Sequence, residues 1–520
     1  MMEALANDPR IAEALARLPD YFGNHVKVSA IALLLGLVVS LPLAFLCLKR
    51  PTLRAIALGI TSIVQTIPGL ALLALFYPLL LALAALSDRS LGFSFSALGL
   101  LPSVLALALY SMLPVLRNTI TGLMGIDPAI SEASVGVGMT RRQALWMVEL
   151  PLALPVIMAG IRTAAVWVIG TATLSTPIGQ TSLGNYIFTG LQTQNWVFVL
   201  FGCAAAAVLA LAVDQLLALM ENGVTVRKRG RAVAGLVGLA AIVSLAIVPG
   251  LARSQKGYVI GAKPFAEQYV LGSLIGQRIA ANGMSAILRE GLGSAVVFDA
   301  LAAGDIDIYV EYSGTIWANQ MKRRDVRPRE EVLATVRQWL QEKHGVVLAG
   351  GLGFENAYTL AMPRKRAEEL KIKTLSDLGR HATNLTIASD YEFFGRPEWQ
   401  ALRATYRLLF KNQRTMQPEF MYPAVAGGDV DVISAYTSDG RVAQYDLATI
   451  ADNRHAIPPY DAIILISPNR AGDTALLNAI KPLIGAIKVE TMREANLRVS
   501  GDKAEQPQEA AKWLWEKIGK

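Results

Sequence analysis

The sequence predicts an α-helical membrane domain of about six spans fused to an α/β two-lobed soluble domain. Three observations carry that expectation: apolar runs of spanning length confined to the first half, a jump in charge density after Arg231, and strand–helix alternation from Tyr258 onward. Up to Arg231 the chain holds 15 Lys/Arg and 10 Asp/Glu, against 34 and 31 in the remaining 289 of its 520 residues, an ordinary soluble composition. So long a chain divides into about three units or fewer.

The first unit, residues 1–27, mixes Glu3, Asp8, Arg10, Glu13, Arg17 and Asp20 with alanines and leucines. That mixture reads as a short amphipathic helix on the membrane surface. Six runs then suffice as helices to cross about 30 Å of hydrocarbon, near 28–48, 57–81, 97–116, 155–176, 196–220 and 232–250. In the second, Gln65-Thr66-Ile67-Pro68-Gly69 places a proline mid-span, which removes one helical hydrogen bond and predicts a bend.

Basic residues orient the bundle, because short cytoplasmic loops retain Lys and Arg. Lys49, Arg50 and Arg54 follow span one, Arg117, Arg141 and Arg142 follow span three, and Arg227, Lys228, Arg229 and Arg231 follow span five. The opposite loops hold Arg89 alone. The amino terminus and the soluble half therefore lie outside the cytoplasm, in a multi-pass protein of the inner membrane. Residues 28–222 are the pore-forming domain and 223–255 a tether span. The tether also has the charged, apolar and small-residue zones of a secretory signal; an uncleaved tether is expected, with cleavage after Ala252 as the alternative.

The net charge of +8 and pI near 9.3 do not imply nucleic acid, since the surplus sits in those short loops beside membrane lipid. Cys47 and Cys203 lie in apolar runs, so the soluble half has no disulfide. The four histidines make no metal spacing, and no Gly-x4-Gly-Lys-Ser/Thr occurs. No catalytic constellation, metal site or cofactor is read, and the chain is not expected to be an enzyme.

One cytoplasmic stretch organises the membrane half. Glu132-Ala133-Ser134, three residues, Gly138, nine residues, Val148, one residue, then Leu150-Pro151 resembles the signature loop of ABC-importer permeases. That resemblance implies a type I importer fold and a helix–turn–helix that docks on a separate ABC ATPase. It further implies two ATPase copies and a homodimer of this chain. Glu132, Ala133, Gly138, Leu150 and Pro151 are the ATPase-coupling residues it assigns.

The soluble half, residues 256–520, opens with strand Tyr258–Gly261 and a helix from Pro264 to Asn282; Asp305–Val310 and Val430–Ser434 read as buried strands after helices. Such alternation implies parallel sheet with ligand sites at strand ends. Tyr312, Tyr358, Tyr436 and Tyr460 stand at turn-like positions after strands, and Gly261-x-Lys263-x-Phe265-x-Glu267-Gln268 opens the domain. Together they resemble the binding proteins of osmoprotectant ABC importers, for glycine betaine, carnitine and choline. The fold implied is a periplasmic-binding-protein-like domain of type II, with lobe 1 at about 256–358 and 460–520 and lobe 2 at about 359–459. Hinge crossings are expected near Ala357 to Ala361 and Pro458 to Asp461.

The resemblance makes the four tyrosines a cage. A quaternary ammonium has no N–H to donate, so ring faces hold it better than a carboxylate, at about 0.5 to 2 kcal/mol per ring. Thr315 and Lys263 are then expected to hold the carboxylate of a betaine, with Phe265, Asn356 and Arg441 as further candidates from the family motifs. The function implied is an importer subunit joining channel and extracytoplasmic betaine binding, driven by a separate ATPase. Ergothioneine, a larger betaine carried by fused importers of this kind, is the alternative ligand. A ligand-gated membrane sensor or channel is the alternative of another class.

Overall fold

The computed structural model describes residues 9–91, 95–192, 195–252, 257–323, 325–500 and 505–519. It divides into a membrane unit and a soluble unit near Ser254.

In the membrane unit the helices are α1 (Pro9–Leu48), α2 (Pro51–Thr66), α3 (Gly69–Leu91), α4 (Leu100–Met124), α5 (Pro128–Gly136), α6 (Arg141–Ala144), α7 (Leu150–Ala172), α8 (Gly184–Gln192), α9 (Trp196–Thr225) and α10 (Arg229–Ala252). Among the described residues, five helices are long and apolar enough to cross a membrane, and a bent pair makes six. Helices α1, α4 and α7 share a core of Val28, Ala32, Val104, Leu107, Val168 and Ala172. Gly36 brings α1 against α4 so closely that an added Cβ would fall 1.8 Å from Ser111 Oγ. Small residues at such crossings are what lets helices pack where lipid supplies no hydrophobic drive.

The bend expected in the second span is present and amounts to a break: α2 and α3 meet at 103° across Ile67–Pro68. The carbonyl of Ile67, freed by the break, accepts a hydrogen bond from the Tyr110 hydroxyl on α4, so the polar backbone is satisfied inside the protein. One expectation about this unit is corrected: residues 9–27 do not form a separate surface helix. From Pro9 the chain is one helix of 40 residues, about 60 Å long, and Ala14, Tyr21 and Val26 pack into a core with Tyr186 and Phe198. Residues 1–8 of that segment, and the chain just past Ala252 where the cleavage alternative falls, lie outside the described residues.

The soluble unit contains two five-stranded sheets. The first has order β2-β1-β3-β10-β4, from β1 (Tyr258–Gly261), β2 (Ala286–Arg289), β3 (Ile308–Tyr312), β4 (Val347–Glu355) and β10 (Asp461–Ile466). The second has order β7-β6-β8-β5-β9, from β5 (Tyr358–Pro363), β6 (Thr386–Ser389), β7 (Asn412–Thr415), β8 (Val432–Tyr436) and β9 (Leu447–Ile450). Helix α11 (Ala266–Ala281) follows β1. Neither sheet is wholly parallel as expected: β10 runs antiparallel to β3 and β4, and β5 to β8 and β9. These are the strands that adjoin the crossings between sheets, so they enter from the end opposite to the βα units. The first crossing is at Asn356–Ala357, because Thr359–Ala361 already lie inside β5. The second precedes Asp461.

Candidate ligand site

Strand register creates the aromatic cluster. Tyr358 on β5 pairs directly with Tyr436 on β8, so their side chains leave the same face as cross-strand neighbours. Their ring centroids lie 4.8 Å apart, and the Tyr436 hydroxyl donates to that of Tyr358 at 3.2 Å. Tyr460 stands edge-on to Tyr358 at 5.6 Å and 88°. Its ring lies flat on the turn after β3, where Gly314 is required: an added Cβ would meet the ring at 2.5 Å. Phe265, just before α11, faces Tyr436 with planes 8° apart and centroids separated by 6.4 Å.

These rings wall a cavity of about 280 Å³. Of the nine residues assigned by sequence, the structure brings Lys263, Phe265, Thr315, Asn356, Tyr358, Tyr436, Arg441 and Tyr460 to its lining. Tyr312 is the exception and corrects the four-tyrosine cage. Its ring sits behind Phe265 at 6.2 Å, and its hydroxyl is occupied, donating to Glu267 Oε1 at 2.6 Å and accepting from Gln268 Nε2 at 3.1 Å. A wider recess of about 620 Å³ also touches Tyr358, but none of the other rings line it.

Charge in the wall is already paired. The Lys263 ammonium, expected to face a ligand carboxylate, makes a buried ion pair with Glu311. Arg396, which sequence reasoning missed, stands 4.9 Å over the Tyr358 ring and forks onto Glu398 with two contacts of 3.1 Å. The Tyr460 hydroxyl donates to the same Glu398 carboxylate. Burial holds the Tyr460 and Tyr312 phenols well above the ordinary tyrosine range, so both stay neutral. Arg441 clamps Asp439 through its backbone N–H at 2.9 Å and its guanidinium at 2.7 Å.

Glu267, also unassigned by sequence, is the hub of the cleft. Its Oε1 accepts from Tyr312 and from Asn356 Nδ2 at 2.9 Å, and its Oε2 from Ser438 Oγ at 2.6 Å and Asn496 Nδ2 at 2.8 Å. Burial raises its pKa, and the four donors, all serving an acceptor-only carboxylate, oppose that rise. The signal for Glu267 lay in the opening motif itself. That for Arg396 lay in Gly395-Arg396-Pro397-Glu398, a turn signature after a strand that places two opposite charges together.

In the membrane unit, the cytoplasmic stretch folds as α5, a turn and α6. Asp127 caps α5 by accepting from Ala129 N at 2.9 Å, and Thr140 and Gln143 form a reciprocal cap on α6. Between them Gly138 sits at φ 85°, a left-handed conformation that side chains disfavour. Ser131 Oγ donates to Glu149 Oε1 at 3.1 Å and ties the two arms. Val135, Val137, Trp146 and Met147 are 63 to 75% exposed, an apolar face outside the spans. Such a face marks a protein contact.

Helices that form a pore and offer an apolar loop to a partner, joined to a cleft domain walled by aromatic rings, are the two halves of a transporter that imports what it binds. Comparison with known proteins agrees. Residues 256–516 match the substrate binding domain of the ABC-type glycine betaine transport system, and residues 32–226 the inner membrane component of binding-protein-dependent transport systems. The chain belongs to these families, as the fused permease and binding domain of an ABC importer of the glycine betaine type. A fused ergothioneine transport permease and binding protein of Helicobacter pylori (strain G27) is 27% identical over 90% of this chain and 84% of its own length. A glycine betaine/carnitine/choline transport permease of Bacillus subtilis (strain 168) is 39% identical over 39% of this chain and 86% of its own length. A solved glycine betaine/carnitine/choline ABC transporter structure is 25% identical, covering 50% of this chain and 98% of its own, with a TM-score of 0.45. The protein is therefore a multi-pass inner-membrane permease with an extracytoplasmic binding domain, which works with an ATPase and a small-molecule ligand.

Proposed function

We propose that the 280 Å³ cavity binds a betaine through its quaternary ammonium, and that the two sheet-centred lobes, residues 256–358 with 460–520 and residues 359–459, close on it. The convergence of Tyr358, Tyr436, Tyr460 and Phe265 on one cavity carries this reading. Ring faces attract a cation at about 0.5 to 2 kcal/mol each, so several of them support micromolar binding, about −8 kcal/mol. The ligand carboxylate is met by N–H donors that Lys263 retains after pairing with Glu311, and by the Thr315 hydroxyl, beside the positive charge of Arg396 on the same wall. Two copies of the chain assemble with two ATPase subunits, and the Glu132–Pro151 loop transmits nucleotide-driven closure; ATP is hydrolysed on the partner chains.

A second ligand reading has its own support. Asn356 Oδ1 and Asn496 Oδ1 are buried acceptors on the cavity wall without a partner among the described residues. A ligand ring bearing N–H groups, as in ergothioneine, offers them donors. It would stack between Phe265 and Tyr436 once those rings part from 6.4 Å to the roughly 7 Å that two van der Waals layers need. Isothermal titration of the detergent-solubilised full chain with glycine betaine, carnitine, choline and ergothioneine decides between these ligands. Micromolar or tighter binding of at least one is expected. Binding of none overturns the proposal.

A further inference from the structure

Arg162 lies inside the spanning part of α7, where an ionisable side chain is costly and marks function until shown otherwise. Its guanidinium forks onto Asp214 of α9, with Nε to Oδ1 at 2.8 Å and Nη2 to Oδ2 at 3.0 Å, and its Nη1 reaches Glu221 Oε2 at 3.1 Å. Arg162 stands twelve residues after Leu150 and Asp214 eleven before Thr225, so each is about 17 Å along its helix from the cytoplasmic end. Arg162 and Asp214 therefore sit well inside the span, while Glu221, four residues before Thr225, lies about 6 Å from that end. One cation facing two carboxylates between apolar helices is a higher cost than helix packing alone requires.

The two helices so joined lead to different places. Helix α7 continues without a break from the cytoplasmic loop through a π-helical turn at Leu145–Glu149, so it moves with that loop. Helix α9 packs closely on α10, the tether of the binding domain. At Gly235 an added Cβ would lie 2.6 Å from the Leu216 carbonyl oxygen, and at Gly223 2.3 Å from Ala232 N. We propose that Arg162 is the positioning residue through which movement of the ATPase-facing loop passes to the α9–α10 hairpin, with Asp214 and Glu221 as its two anchors. Two anchors seven residues apart on one helix resist both sliding and rotation, which a single contact does not. The inference rests on the importer reading of the chain.

The test uses the full chain with its ATPase in proteoliposomes, with ligand affinity measured separately. Arg162→Met is expected to bind ligand with unchanged affinity and to hydrolyse ATP without stimulation by ligand. Its uptake per correctly inserted molecule should fall at least tenfold. The exchanged pair Arg162→Glu with Asp214→Arg is expected to recover at least half of the lost uptake. Uptake per inserted molecule within twofold of the unsubstituted chain in Arg162→Met overturns the proposal. If that variant fails to insert, Glu221→Gln, which keeps the Asp214 fork, decides: a several-fold loss of uptake at normal insertion supports the role, and unchanged uptake overturns it. A failure of the importer reading shows separately, as lack of ligand binding or uptake in the unsubstituted chain.

Discussion

Glu267 Oε2 accepts a 2.6 Å hydrogen bond from the hydroxyl of Ser438, joining the first turn of α11, which packs on the first sheet, to the loop after β8 of the second. The same carboxylate holds Asn356 at the crossing and Asn496 on the helix Val489–Ser500. One anion thus spans the cleft, and separating the two sheets must break at least its bond to Ser438.

Ser438→Ala should therefore favour the open domain. A hydrogen bond to a charged group contributes about 1.5 to 3 kcal/mol, so ligand affinity is expected to fall by roughly 10- to 150-fold. Titration calorimetry on the full chain measures it, and an unchanged dissociation constant would show that the contact does not bias closure.

On the proposed reading, the Arg396 guanidinium, on the cavity wall over the Tyr358 ring, distinguishes ligands by their anionic end. Removing it alone strands the buried Glu398 carboxylate, so the informative variant is Arg396→Met with Glu398→Gln. Loss of a charge-assisted contact should weaken a carboxylate-bearing betaine by at least tenfold while leaving choline within about threefold. Equal losses for both ligands would assign Arg396 to the framework of the cleft instead.

At Gly138, valine would have to occupy φ 85°, which costs about 1 to 2 kcal/mol before any contact is counted. Among the described residues no neighbouring atom lies within 4 Å of the added Cβ, so the effect is on loop geometry and not on packing. Gly138→Val is expected to keep ligand affinity and insertion, and to lose co-purification with the ATPase and uptake. A variant that transports normally would remove this turn from the coupling route.

Asp439 gives a pH dependence of known sign. Burial alone would raise its pKa, but Arg441 and the Tyr422 hydroxyl outweigh it and hold the carboxyl below the usual range. With the folded pKa below the unfolded one, the stabilisation is complete above about pH 4 and is lost as pH falls through the folded value. In thermal scans Asp439→Asn should melt lower at pH 7 and lose less than the unsubstituted chain between pH 4 and pH 2. Parallel curves for the two proteins would refute the linkage.

Much of the site was legible because its residues announce themselves locally. Tyr358, Tyr436 and Tyr460 stand beside strands at turn signals, and strand ends of α/β domains face clefts. Arg396 and Glu398 did not stand out, since charged residues in a polar turn read as solvated until the ring of Tyr358 is seen beneath the guanidinium. Tyr312 misled for the opposite reason. It shares the positional signature of the other three, but α11 offers it Glu267 and Gln268, and hydrogen bonding draws its hydroxyl away from the cavity.

The same division holds for the membrane half. Apolar length, loop charge and the spacing from Glu132 to Pro151 set the number of spans, their orientation and the inward-facing loop, because each of these depends on local composition against a fixed bilayer thickness. The break at Ile67–Pro68 and the meeting of Arg162 with Asp214 and Glu221 came only from tertiary structure. A proline states that a hydrogen bond is missing, but whether the helix bends or breaks depends on whether a partner such as Tyr110 waits for the freed carbonyl. Likewise a charge in a span has no stated partner until a second helix, 52 residues away in the chain, places one beside it.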